Sequence, residues 1–211
     1  MKSKVLVISA HADDAELGAG GTIARHVEGG DEVRILLVTH SGYNDYNGKT
    51  IRTKKRAANE SKKSLEVLGV NQVDCLNYET KKVMYDVRLI EDINRYVDEF
   101  TPDIIYTHWD GDANQDHEAI AKATFIGARN YHKILKYRSN WHVSTKEFKE
   151  NFYVDISNQI DKKMDAIKSH KSEIDKRGGS WQEYFKSKSR ICGIEIGVQY
   201  AEVFEIHKWV M

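Results

Sequence analysis

Proline and cysteine are nearly absent from this chain, and so is any imbalance of charge. Only Pro102 is proline among 211 residues, and only Cys75 and Cys192 are cysteine. One proline leaves no proline-rich linker and no polyproline segment. Two cysteines make no disulfide framework; they fit a reducing, cytoplasmic compartment, with both thiols expected in the interior. Lys plus Arg number 32 and Asp plus Glu number 32, so the formal net charge is zero. Nucleic-acid binding needs a basic excess or a basic face, so no nucleic-acid partner is expected. Long apolar runs are missing too: none approaches the roughly 20 residues of a membrane-spanning helix, so no transmembrane segment is expected. The run Val5–Ala10 is too short for a signal-peptide core and reads as a strand. Repeats, low-complexity tracts and shifts of composition are lacking, and 1–211 is expected to be a single domain with a substantial core.

What is present is an alternation of short apolar runs with helical spacing. Val5–Ala10 and Val33–Thr39 are apolar runs of strand length. Thr53–Leu68 places Ala57, Ser61, Leu65 and Leu68 on one helical face, with Gly69 as the stop. Val73–Leu76 is a short third strand. Val87–Phe100 repeats the helical spacing through Leu89, Ile90, Ile93 and Val97, and Thr101-Pro102 closes it. Asp103–Thr107 reads as a fourth strand, Glu118–Ala128 as an Ala-rich helix, and Val154–His170 as a further helix capped near Asp155 or Ser157. Strands alternating with amphipathic helices predict an α/β, Rossmann-like fold, a mostly parallel sheet with helices on both faces.

Ligands of such sheets sit beyond the carboxyl ends of the strands. His11, Asp13 and Asp14 follow the first strand there, and Thr39–Gly42 follow the second. His108, Trp109 and Asp110 follow the fourth and lead into Asp112–Glu118. A strand-to-helix turn usually suits phosphate, because free N–H groups and the helix dipole meet it. Two adjacent carboxylates would repel phosphate and suit a divalent cation instead. His11 and Asp14, three residues apart across a tight turn, can face one metal, which leaves Asp13 free to act on water. His117 opens a helix and can point back to the strand ends. His11, Asp14 and His117 then form a two-His, one-carboxylate set with positions open to water, as zinc sites use and ferrous iron accepts. The glycines Gly18, Gly20 and Gly21 do not follow the strand directly, as a dinucleotide fingerprint requires; they read as a close approach of helix to sheet.

These residues resemble the motifs of the PIG-L/LmbE-type zinc-dependent N-acetylglucosaminyl de-N-acetylases. The first family motif is usually A-H-P-D-D-x-x-x-x-G-G-G-T, and His11-Ala12-Asp13-Asp14 through Gly20-Gly21-Thr22 stand in its place. The second resembles H-x-D-x-H/N-x-D-H, where this chain has Asp112-Ala113-Asn114-Gln115-Asp116-His117. Glu60 with Leu68-Gly69, then Lys163, Ala166, His170 and Ser172, and finally Gly197 through Phe204 are similar to later parts of the family. The resemblance implies an LmbE-like fold and one Zn2+ held by His11, Asp14 and His117, another divalent metal such as Fe2+ being compatible. It implies Asp13 as general base, with Asp116 orienting a neighbouring histidine or the helix start. It also implies removal of an acetyl group from an N-acetylated amino sugar, in polysaccharide or sugar-conjugate assembly. Ala12 replaces the usual Pro. Asn114 stands where many members have a His that helps the oxyanion or leaving group, and His108 is the candidate to compensate.

For the substrate, Tyr43 and Trp109 are candidates to stack on a sugar face, and Arg56, with Arg52, to meet a phosphate or carboxylate. The segment Ser180–Tyr184, with Trp181, reads either as a cover for the pocket or as a contact in a homo-oligomer. Two other functions compete: a non-catalytic sugar- or nucleotide-binding module of the same fold, and a metal-dependent hydrolase of another N-acyl amide. Ligands and base together argue against the bare module.

Overall fold

The structure, a computed structural model, describes residues 2–210; Met1 and Met211, the ends of the span expected to form one domain, lie outside the described residues. The first half of the chain runs β1 (Lys4–Ser9), α1 (Asp14–Glu28), β2 (Glu32–Thr39), a small hairpin of β3 (Tyr43–Asn44) and β4 (Thr50–Arg52), then α2 (Lys54–Leu68) and β5 (Gln72–Tyr78). The second half runs α3 (Val87–Phe100), β6 (Ile104–His108), α4 (Gln115–Gly127), β7 (Lys133–Tyr137), β8 (Phe152–Asp155), α5 (Ile160–Lys168), α6 (Lys171–Arg177), α7 (Gly179–Ile196) and β9 (Ala201–Trp209). Seven strands make one sheet in the order β5-β2-β1-β6-β7-β9-β8. β5, β2, β1, β6 and β7 pair in parallel, whereas β9 is antiparallel to both β7 and β8.

The pleat of β1 explains the layers. Val5 and Val7 face one side, where they pack on Ala19, Ile23, Leu65, Leu68 and Ala166 from α1, α2 and α5. Leu6 and Ile8 face the other, against Leu89, Ile93 and Val97 of α3 and Ile120 and Ala123 of α4. Each such aliphatic side chain contributes about 1.5–3 kcal/mol by leaving water, so a strand apolar on both faces belongs at the centre of the sheet. Helices start and stop as their end residues dictate. Thr53, Asp86 and Asn114 cap α2, α3 and α4 by accepting main-chain N–H bonds. Gly69 closes α2 at φ 81°. Gly18 and Gly21 are where α1 presses on its neighbours: a Cβ on Gly18 would lie 2.3 Å from the Tyr137 ring, and one on Gly21 2.6 Å from Ile156.

Two sequence expectations need correction. The helix expected over Val154–His170 is shorter: Val154 belongs to β8, and α5 spans Ile160–Lys168 with Gln159 at its N-cap. The apolar spacing there continues across a strand and a turn because both face the same core. Of the two cysteines only Cys192 is buried; Cys75 is exposed on β5, the edge strand. No helix among the described residues is long and apolar enough to cross a membrane.

Candidate active site

The chain leaves β1 toward β2 and β5, then returns to the other side through β6 and β7. The loops after β1 and β6 therefore diverge and open a crevice at the switch point. A cavity of about 300 Å³ lies there. Loops after five parallel strands reach it: His11–Asp14, Ser41–Tyr43, Thr80–Lys81, Ala113–His117 and Ser139–His142. Glu173, Lys176, Arg177 and Trp181 from α6 and α7 close the remaining side.

Three ligand-type atoms converge on its floor. His11 Nδ1 lies 3.1 Å from Asp14 Oδ2, His117 Nε2 lies 3.2 Å from the same oxygen, and the two ring nitrogens are 3.2 Å apart. Bonds of about 2.0–2.1 Å in a tetrahedral arrangement set ligand atoms about 3.3 Å apart, so the triangle fits a small divalent cation. The surrounding hydrogen bonds give the ring nitrogens the lone pairs a cation needs. His11 Nε2 donates to Asp116 Oδ2 at 2.9 Å, which leaves Nδ1 to face the triangle. His117 Nδ1 lies 3.2 Å from Asp112 Oδ2, in a poorly aligned contact. Ser139 donates its hydroxyl to Asp14 Oδ1 at 2.8 Å.

The electrostatics demand positive charge at this point. Burial alone would depress the histidines. Asp14 and the Asp116 hydrogen bond outweigh it at His11, which is raised to about 10. Asp14 and Asp112 do the same at His117, raised to about 9. Asp14 itself is held well below the ordinary carboxylate range, because the charges of His117 and His11 and the His11 hydrogen bond overcome its burial. The triangle therefore takes up protons or a metal cation, and His11, Asp14 and His117 are the residues that could hold the metal.

Asp13 lies beside the triangle in a different environment. It occupies the N-cap position of α1, yet its carboxylate caps nothing. Burial raises its pKa, the charges of Asp14 and Glu173 add to this, and the Arg52 guanidinium opposes it. Asn114 uses Oδ1 to cap α4, accepting the Asp116 N–H at 2.9 Å, which turns the side-chain amide into a donor for the cavity it lines. Asp116 accepts three bonds, from His11 Nε2 and from the Lys81 and Val83 N–H groups at 2.7 and 3.1 Å. Two non-glycine residues with positive φ, Ser41 (57°) and Lys81 (71°), sit at the cavity wall. Ser41 Oγ accepts the Ala12 N–H at 3.0 Å, a bond that a Pro at position 12 could not make.

The other sequence candidates divide. Tyr43 lines the cavity, its hydroxyl donating to Glu173 Oε1 at 2.7 Å. His108, Trp109 and Arg56 are not brought to it. His108 is fully buried behind Asp14, and its Nε2 accepts the Ala10 N–H at 2.9 Å, so it has no free face toward a substrate. Trp109 turns into the core against Phe148, because the chain reverses at Gly111 over its ring. Arg56 points outward along α2 to Glu60 and Asp175. Arg52, four residues earlier at the end of β4, is the arginine that reaches the cavity. Sequence reasoning missed Ser139, Asn140 and Trp141 because it did not recognise β7, whose Lys133 and Lys136 break the apolar run. It also missed Glu173 and Arg177, which read as an ordinary charged helix face.

Fold and site define an α/β protein with a candidate metal centre at the switch point of its sheet. The profile of the PIG-L family, GlcNAc-PI de-N-acetylase, matches residues 6–126, more than half of the chain. The chain belongs to this family. It is 26% identical over 216 aligned residues to the diacetylchitobiose deacetylase of Thermococcus kodakarensis, covering 94% of this chain and 81% of that one. Its fold is that of the N,N'-diacetylchitobiose deacetylase from Pyrococcus horikoshii, with a TM-score of 0.82 at 24% identity over 98% of this chain and 84% of the other. The same fold carries the 4-carboxy-2-hydroxymuconate hydratase GalB of a Pseudomonas, with a TM-score of 0.78 at 20% identity, covering 100% of this chain and 98% of that one.

Proposed function

We propose that this protein is a zinc-dependent de-N-acetylase of an N-acetylated amino sugar. One observation carries the reading: a free, strengthened carboxylate, Asp13, beside a triangle of His11, Asp14 and His117 that fits a divalent cation, inside one cavity. Family membership and the deacetylases among the relatives support it. Zinc, when bound, activates water and polarises an acyl oxygen. The chain's own residues do the rest. Asp13, buried and without a side-chain hydrogen bond, accepts the proton from water and holds it until the amine leaves. Asn114 offers its amide N–H to the acyl oxygen as negative charge develops there. Trp141 at the cavity wall presents a flat apolar face to a sugar, and Tyr43 adds a second, fixed by its bond to Glu173.

The test is metal analysis together with acetate release from a panel of N-acetylglucosamine conjugates, wild type beside Asp13→Ala. One zinc per chain in both proteins is expected, with acetate release in the wild type falling by about a hundredfold or more in the variant. A protein that binds no divalent metal would favour a binding module. Metal without acetate release from any conjugate would refute the de-N-acetylase and leave hydration or cleavage of another amide, chemistry that the hydratase of the same fold makes relevant.

A further inference from the structure

A second line of polar side chains runs from the cavity wall into the interior, apart from the triangle of His11, Asp14 and His117. Glu16, His170 and Arg52 are all buried, at 1%, 0% and 2% exposure. Arg52 donates through one terminal nitrogen to His170 Nδ1 at 3.2 Å, and His170 Nε2 lies 3.1 Å from Glu16 Oε1. Arginine has no acceptor. His170 Nδ1 must therefore carry the lone pair and Nε2 the proton, which it donates to Glu16. The guanidinium has looser neighbours elsewhere: Nε is 3.4 Å from Glu60 Oε2 without a formed bond, and the other terminal nitrogen is 3.7 Å from Glu173 Oε1.

Arg52 needs such a hold. It ends the short strand β4 of a small hairpin, whereas Glu16 sits in the first turn of α1 and His170 at the N-cap of α6. A loop-borne side chain keeps one geometry only if rigid elements lock it. Without the imidazole, the guanidinium would swing toward Glu60 or Glu173, the carboxylates already within reach. We propose that Glu16 and His170 form a buried positioning pair that keeps the Arg52 guanidinium facing the cavity as a hydrogen-bond donor to substrate. The substrate side of this proposal rests on the de-N-acetylase reading; the proton arrangement within the pair does not.

Two measurements test it separately. Nitrogen-15 NMR of the histidine-labelled wild type reads the tautomer of His170. The Nε2–H form, with a resonance lost in His170→Gln, is expected; the Nδ1–H form or a doubly protonated ring would overturn the relay whatever the enzyme's substrate. Steady-state kinetics on the best conjugate then read the consequence. His170→Phe and Glu16→Leu are expected to raise KM by about tenfold or more with kcat little changed, since an oriented bond to a charged donor is lost. His170→Gln should restore KM, because an amide can accept from Arg52 and donate to Glu16 at once. In an Arg52→Ala background, His170→Phe should add nothing further. Additive losses, or no rescue by Gln, would make the pair a structural hydrogen bond only. Should the wild type release acetate from no conjugate, the functional reading fails while the NMR result still decides the relay.

Discussion

Replacing Asp116 by Asn asks how much of the candidate metal centre depends on the residue behind the proposed ligand His11. The Asp116 carboxylate is fully buried and accepts three bonds, from His11 Nε2 at 2.9 Å, Lys81 N–H at 2.7 Å and Val83 N–H at 3.1 Å. Its burial would raise its pKa, but the His11 bond and charge and the two main-chain donors hold it below the ordinary carboxylate range. An asparagine keeps one acceptor oxygen and brings an NH2 that must face a donor in either orientation. If the NH2 takes the Oδ1 place, the Val83 N–H is stranded; in the Oδ2 place, both His11 Nε2–H and the Lys81 N–H are opposed. The first orientation is cheaper and costs about 1–3 kcal/mol for one buried, unsatisfied donor. Loss of the charge also weakens the hold on His11, and changes behind metal-binding histidines lower affinity by about 10–100-fold. Urea unfolding of the metal-free protein should therefore show a loss of about 1–3 kcal/mol. Competition for zinc against a chelator of known affinity should show a dissociation constant higher by about 10–100-fold. Unchanged zinc affinity with reduced stability would refute the reasoning: Asp116 would then only staple the 79–86 loop.

Two further changes probe the packing and the chemistry. Gly18→Ala puts a methyl group 2.3 Å from a Tyr137 ring that is fully buried and donates its hydroxyl to Ile8 O at 2.9 Å. The clash should outweigh the helix-propensity gain and lower stability by about 1–3 kcal/mol in urea unfolding; a neutral or stabilised protein would deny the close approach of α1 to the sheet. Asn114→Asp keeps the oxygen that caps α4 and removes the amide donor, so stability should hold while kcat falls by about a hundredfold with KM little changed. An unchanged kcat, measured on the same conjugate as wild type, would take Asn114 out of the chemistry.

The parallel half of the sheet was legible because its signals are local. Val5 to Ala10 alternate their faces within one strand, and both faces are apolar because both are covered by helices. His11, Asp13 and Asp14 lie within four residues of that strand's end, so their grouping needed only a strand, a turn and a helix. His117 could be added because the helix it opens follows another strand of the same sheet. β9 was hidden for the opposite reason. Glu202 and Glu205 interrupt its apolar pattern, and their burial is compensated by Lys163 and Lys136, which pair with them at 2.7 and 2.5 Å, and by main-chain N–H groups of Gly21, Thr22 and Lys149. The two lysines come from elements 39 and 69 residues away, and no window of sequence contains both ends of either pair.

The residues of this protein determine by themselves an alternating α/β chain and the group of metal-competent and basic side chains at the end of its first strand. Backbone periodicity encodes both, and it acts over one turn of helix or two residues of strand. Tertiary structure alone decided which of two arginines in one short segment meets the cavity. Arg52 is turned inward by the end of β4, and Arg56 is turned outward by the register of α2. It alone decided that His108 and Trp109 face the core while Trp141 faces the cavity. It alone placed Glu16, His170 and Arg52 in one line, across separations of 154 and 118 residues. The direction of a side chain on a loop, and the partner that makes its burial affordable, are set by packing between distant elements, which local sequence does not contain.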